Sequence, residues 1–195
     1  MNIKETLLAE LSNDGLLLQQ DLGLPNVVAI VAGEPLHGSW WSHRSGQAIF
    51  NSLNALATHP DVLVTRLVSG KVTFVHRRLW SAVLAVATER GAWQFARLPA
   101  PARELYDSVE RQGMLLATGP SAKELERRLL VHGEQVHTEK GHHELRLESW
   151  ALWAERTGCG GVLTAAEGRH QIEVAVRALG GATALLPWHK AVRSG

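Results

Sequence analysis

Two stretches of this chain alternate in hydrophobicity around a glycine-containing turn, and each is bracketed by helical periodicity. No other feature narrows the fold as much. Residues 61–80 read DVLVTRLVSGKVTFVHRRLW, and residues 133–150 read GEQVHTEKGHHELRLESW. Branched residues dominate the first stretch. Period-two alternation on both sides of a short Gly-containing break predicts a β-hairpin in each. With Ser69 and Gly70 as a two-residue turn, Leu67 is expected to face Val72, Thr65 to face Phe74 and Leu63 to face His76. With a turn at Lys140-Gly141, His137 is expected to pair with Glu144, and His143 to point to the other face.

Helical periodicity flanks both. Residues 3–12 carry Leu7, Leu8 and Leu11 on one face, and Asn13-Asp14-Gly15 ends them. VVAIVA at 27–32 follows Pro25 and is compatible with a helix or a buried strand. Ile49, Leu53 and Leu56 recur at the helical period after Ser45, a candidate cap, and Pro60 bars continuation. Trp80, Val83, Leu84 and Ala87 resume the period. After RLPAPA at 97–102, a helix over 101–112 places Leu105 and Val109 inward. SAKELERRLL opens with the Ser121/Glu124 spacing of a capping box, with Leu125 and Leu129 inward and Lys123, Arg127 and Arg128 outward. Trp150 and Trp153 begin another helix. Ile172, Val176 and Leu179 mark the last, and ATALLPW packs back on the body.

The order helix, two-stranded ribbon, helix therefore occurs twice, as a weak internal repeat in which His59 and Trp80 answer to His132 and Trp150. The expected fold class is α+β, mostly helical, with tandem winged-helix-like units. Residues 1–96 hold the N-terminal helices and the first unit; 97–195 hold the second unit and a C-terminal helix, the two packed as one body. The rival reading is an α+β domain whose hairpins simply cover the core.

The residues GSWWSH at 38–43, with LVSGKVTFVHRRLW, resemble a family of bacterial proteins to which no activity is assigned. The resemblance covers most of the chain. The tandem winged-helix plan is also similar to that of the AlkZ-type DNA glycosylases. That similarity implies fold alone, because their Gln-x-Gln motif is replaced here by the adjacent Gln19-Gln20 of LLLQQD.

At 195 residues, 45% hydrophobic and 20% charged, the composition is that of a globular protein with ample apolar mass for a core. Twenty basic and 19 acidic residues leave a net charge of +1, so an electrostatic footprint must be local. The single cysteine, Cys159, excludes an internal disulfide and fits a reducing compartment. The N-terminus lacks the apolar run of a signal peptide, and VVAIVA is too short to span a bilayer. The cytoplasm is the expected location, with no membrane partner.

The local footprint falls on the first hairpin. Arg66, Lys71, Arg77 and Arg78 lie within residues 62–79, where no acid occurs. Clustered cations on a projecting ribbon suit phosphate contact, and Lys123, Arg127 and Arg128 on the helix before the second ribbon extend the set. The competing reading pairs these cations with acids elsewhere. DNA or another nucleic acid is the expected partner, in a regulatory or repair-related role; oligomeric state is left open.

Glu34, His37 and His43 form the candidate acid–base group, since a carboxylate can orient a histidine that titrates near neutrality. An enzyme working through this Glu34–His43 loop is the alternative function, and a protein-interaction scaffold the third. There is no G-x-S-x-G, P-loop or dinucleotide glycine pattern. His132, His137, His142 and His143 match no zinc spacing, so no metal and no cofactor is expected. Trp40 and Trp41 are adjacent and diverge in either regular conformation. They are expected to divide, one ring anchoring the loop and the other nearer the surface, with His43 and Arg44 presented at a groove mouth.

Overall fold

A computed structural model describes residues 2–137 and 143–190. Helix α1 (Ile3–Asp14) opens with a capping box between Asn2 and Glu5 and ends at Gly15, whose φ of 82° is the left-handed value that favours glycine. Strand β1 (Leu16–Leu18), helix α2 (Val27–Ala32) and helix α3 (Gly46–Ala57) follow. Strands β2 (Val62–Arg66) and β3 (Val72–His76) form the first ribbon, and helix α4 (Trp80–Ala87) leaves it. The strands pair antiparallel in the order β1-β3-β2.

The same order returns in the second half. After a short helix α5 (Ala92–Phe95) come α6 (Ala100–Gln112), β4 (Met114–Ala117), α7 (Pro120–Arg127), β5 (His132–His137), β6 (His143–Glu148) and α8 (Trp150–Thr157). This sheet is also antiparallel, in the order β4-β6-β5. The repeat is thus a shared topology: helix, strand, helix, ribbon, helix. The second copy runs from β4 through Thr118-Gly119 straight into α7, with no counterpart of α2. Helices α9 (Ala165–Ala178) and α10 (Pro187–Lys190) complete the chain. The protein is α+β with two small three-stranded sheets.

Three apolar clusters hold it together. One gathers α1, α2 and α3 on one face of the first sheet, through Leu7, Leu11, Val28, Ile49, Leu53 and Phe74. Its counterpart gathers α6 and α7 with β6, through Tyr106, Val109, Leu125 and Leu147. The third and largest lies between, where Leu16, Leu63 and Val75 from the other face of the first sheet meet Leu129, Trp150, Trp153 and Ile172. Trp80 and Trp150, which open α4 and α8, each set their rings edge-on to Trp153 at 5.3 Å. Their indole N–H groups donate to the carbonyls of Val75 and Leu129. Helix α9 crosses α4 so closely that a Cβ on Gly168 would lie 2.6 Å from the Ala82 carbonyl oxygen.

Both hairpins form, but each is shifted by one residue from the expected register. Ser69 and Gly70 do make the first turn, with φ of 55° and 70° and a Lys71 N–H to Val68 carbonyl bond. Leu67, however, turns into a helical conformation and enters as an extra residue, so Arg66 pairs with Val72, Thr65 with Thr73 and Leu63 with Val75. The bulge is stabilised by burial: Leu67 and Val68 are both fully buried in the central cluster. The first ribbon therefore plugs into the molecule instead of projecting from it. In the second ribbon His137 pairs with His143 and Val136 with Glu144. The Lys140-Gly141 turn and His142 lie outside the described residues.

The Ser121/Glu124 capping box does not form. Pro120 takes the first helical position of α7 and Gly119 precedes it, so Ser121 is already inside the helix, while Glu124 pairs with Arg128.

Candidate nucleic-acid interface

Helix α3 buries Ile49, Ser52, Leu53 and Leu56 against α1, α2 and β2. At 100° per residue, the stripe directly opposite is Gln47, Asn51, Asn54 and Thr58, all exposed. Gln47 Nε2 donates to Asn51 Oδ1 at 3.0 Å, which aligns the two amides along the axis. The helix carries no charged residue. Asparagine inside an exposed helix costs several tenths of a kcal/mol relative to alanine or lysine, ~0.5 kcal/mol each. Two such residues one turn apart are therefore held against local preference. The amides recur at i, i+4 and i+7 in the sequence, but uncharged residues at a helical period stand out as a stripe only once the buried face of the helix is fixed.

The loop entering α3 is tightly built. Gln20 Nε2 donates to the carbonyls of Leu36 (3.1 Å) and Gly38 (2.8 Å). His43 N–H donates to the Trp40 carbonyl and Gly46 N–H to that of His43. Gly46 has no room for a side chain, since a Cβ would lie 2.9 Å from the Trp41 carbonyl oxygen. Trp40 is 6% exposed and belongs to the α1–α3 cluster, whereas Trp41 is 66% exposed. The expected division holds, but the rings do not diverge: the turn folds Trp41 back to stack on Trp40, with centroids 4.1 Å and planes 23° apart. Phe50 flanks Trp41 at 5.6 Å.

Glu34 and His43 do meet, Oε1 to Nε2 at 3.5 Å, and His43 Nδ1 accepts from the Ser45 N–H at 3.2 Å. That second contact assigns the proton of neutral His43 to Nε2, facing Glu34. Arg44, 81% exposed, reaches the same carboxylate only at 3.8 Å. Glu34 and His37 are both exposed. The pair therefore braces the surface of the loop, with the Glu34 side chain 56% exposed.

The cations of the first ribbon are mostly committed. Arg66 Nε lies 3.4 Å from Glu126 Oε2, and Glu126 is buried. Burial pushes the Glu126 carboxyl up, only partly offset by Arg66. Lys71 Nζ meets Asp21 Oδ2 at 2.5 Å. Burial works to raise the Asp21 carboxyl, but Lys71 and the N–H groups of Gly23 and Leu24 outweigh it and hold the group below its ordinary value. Arg77 pairs with Asp61 at 3.3 Å and lies over the Trp80 ring. Arg78 donates to the Asn13 carbonyl at 2.8 Å, capping the C-terminus of α1. The acids are 16 to 60 residues away in sequence, which is why a window free of acid looked like an unpaired basic surface.

On α7, Lys123 and Arg127 are exposed as expected, with no ion pair among the described residues. Arg128 differs. Its side chain is 19% exposed and donates to Glu124 Oε1 (2.6 Å) and to the Gln94 and Ala96 carbonyls, so it ties α7 to the end of α5.

Behind α7, Glu148 is gripped by both donor groups of Arg156 at 3.0 and 2.8 Å. His132 Nδ1 lies 3.3 Å from Glu148 Oε2 but off the line of an aligned hydrogen bond. Burial alone would raise the Glu148 carboxyl; its contacts with His132 and Arg156 push it down to about 2. Two hollows are lined by residues from both halves of the chain. One of about 260 Å³ is lined by Arg66, Lys123, Glu126, Gln135 and the Thr118-Gly119 turn. The other, of about 170 Å³, lies at Ser81 and Cys159, whose thiol burial pushes up. Among the described residues no group of three or more His, Cys, Asp or Glu side chains is placed to hold a metal, and no helix is long and apolar enough to cross a membrane.

Comparison with protein-family models, with curated proteins and with solved structures finds no match to this chain.

Proposed function

We propose that this is a nucleic-acid-binding protein of tandem winged-helix type, regulatory or repair-related, with α3 as its reading helix. A helix, a strand, two helices and a two-stranded ribbon, in the strand order β1-β3-β2, is the winged-helix plan, in which the helix before the ribbon enters the major groove. The observation that carries the reading is the amide stripe Gln47, Asn51, Asn54 on the face of α3 opposite its buried side. Asparagine and glutamine side chains match the N7 acceptor and N6 donor of adenine, and a bidentate pair discriminates by about 1–3 kcal/mol. Arg44 at the entry to α3, with Lys123 and Arg127 on the equivalent helix of the second unit, supplies phosphate contacts. The ribbon arginines support the fold in this reading and are not the interface.

The test is duplex affinity as a function of salt. The parent protein binds at low salt and weakens linearly in log–log form; Arg44→Ala lowers the slope by about one. Replacing Gln47, Asn51 and Asn54 together by alanine removes sequence preference and leaves the fold intact. No affinity for any duplex at low salt sinks the proposal.

A protein-interaction scaffold is the second reading, favoured by one observation. Met114 and Leu116 on the edge strand β4 are 45% and 56% exposed, on a sheet that lacks the helix corresponding to α2.

A further inference from the structure

Trp41 combines two properties seldom found together. Its ring is 66% exposed, and it is also fixed: one face lies on Trp40, itself 6% exposed in the α1–α3 cluster, and Phe50 flanks it. The open surface is therefore the opposite face of the indole. A turn with a Gly46 that admits no side chain, a bracing His43 and the two carbonyls held by Gln20 keep the ring in place. A bare apolar face on a rigid mount forgoes burial, and gains only if a flat ligand covers it; the ligand then meets a ring that has little freedom left to lose.

The neighbours of the ring narrow the chemistry of that ligand. Arg44 is 81% exposed and only loosely held by Glu34. Gln47, the first amide of the α3 stripe, follows within one turn. A stacking face, an available guanidinium and an amide donor–acceptor are the three contacts that a nucleotide offers partners for: base face, phosphate and base edge. Bases inside an intact duplex have both faces covered. Away from the duplex ends, only an unpaired base can present a face to Trp41.

We infer that the open face of Trp41 stacks on an unpaired base beside the duplex held by α3, so that the protein prefers duplexes carrying an extrahelical base. The inference rests on the reading of α3 as the nucleic-acid-facing helix. It would add a structure-selective component, read at Trp41, to the sequence component read by the amides.

The full chain is titrated with a short duplex, the same duplex bearing one unpaired thymine, and the same bulged duplex in which the unpaired nucleotide is abasic. Tryptophan emission and anisotropy are recorded together. The parent is expected to bind the thymine bulge on the order of 10-fold more tightly than the plain duplex, with quenched emission. The abasic bulge loses that preference. Trp41→Ala binds the plain duplex as the parent does but shows no preference for the bulge, and Trp41→Phe retains part of it. A parent that binds plain and bulged duplexes alike, or a Trp41→Ala protein that keeps the preference, overturns the inference. So does a change in the sedimentation of the free protein on Trp41→Ala, which marks the ring as a protein contact. If plain-duplex binding persists and depends on Asn51 while the bulge has no effect, the α3 reading stands and this inference alone fails. If the parent binds no duplex at all, both fail.

Discussion

Arg66 on β2 and Glu126 on α7 belong to different halves of the chain, and their side chains meet across the junction with Nε 3.4 Å from Oε2. Among the described residues the pair is one of three ion pairs that join the two halves, beside Arg90 with Glu110 and Arg169 with Glu89, and it is the one whose carboxylate is buried. Glu126 is buried and its carboxyl already lies above the ordinary range for want of solvent. A Cβ on Gly133 would lie 2.5 Å from Glu126 Oε1, so the carboxyl occupies the space that the glycine leaves open.

Removing Arg66 therefore leaves a buried carboxylate with its main partner gone. Arg66→Met is expected to cost about 3–5 kcal/mol at neutral pH. An acid whose folded pKa is raised destabilises the fold once pH passes its unfolded value, so the deficit shrinks as pH falls and Glu126 takes up a proton. Denaturant melts of parent and variant at about pH 8 and about pH 5 check this; a deficit independent of pH contradicts it.

Glu148 carries the opposite sign. Its carboxyl is depressed to about 2 from 4.5. The stabilisation is present above the unfolded pKa and is lost as pH falls from about 4.5 toward about 2. Glu148→Gln is expected to lower stability at neutral pH and to flatten acid unfolding over that window. Acid titration followed by circular dichroism of the two proteins decides it: a variant that unfolds along the parent's acid curve refutes the assignment.

Gly168→Ala tests the α4–α9 crossing. Alanine is the better helix former by about 1 kcal/mol, so in an open helix the change would stabilise. Here the new Cβ would stand 2.6 Å from the Ala82 carbonyl oxygen, a backbone atom that can yield only if the helices separate. The net effect is expected to be a loss of about 1–3 kcal/mol, read by thermal melting.

The two tryptophans of GSWWSH should separate cleanly. Trp40→Ala empties a core position and is expected to cost about 3–5 kcal/mol, which for a chain of this size lowers the melting temperature by roughly 6–20 °C. Trp41→Ala removes an exposed ring and is expected to shift the melt by no more than a few degrees. Equal losses in the two melts would mean that Trp41 holds the loop as much as Trp40 does.

Much of the architecture is legible in the sequence because it is local. Both ribbons, the helices around them and their repetition follow from periodicity. Strands β1 and β4 are not legible: LLL at 16–18 and MLLA at 114–117 are too short to show a period, and pairing with β3 and β6 is what makes them strands. The one-residue register shift escapes for a similar reason, since Leu67 becomes a bulge only because the central cluster receives it. The site divides along the same line. The split between Trp40 and Trp41 and the Glu34–His43 contact follow from adjacency. The fate of Arg66, Lys71 and Arg78 depends on Glu126, Asp21 and the end of α1, which only the fold brings near.

The central claim is that α3 faces nucleic acid, and amide hydrogen exchange with and without saturating duplex DNA tests it most directly. Exchange reports local opening residue by residue, so the contact surface appears as slowed amides. The account predicts slowing concentrated in residues 44–58, with a smaller effect at 120–127 and none at the buried Leu67 and Val68 of the first ribbon. Unchanged exchange across α3, with protection absent or confined to β4, would contradict it.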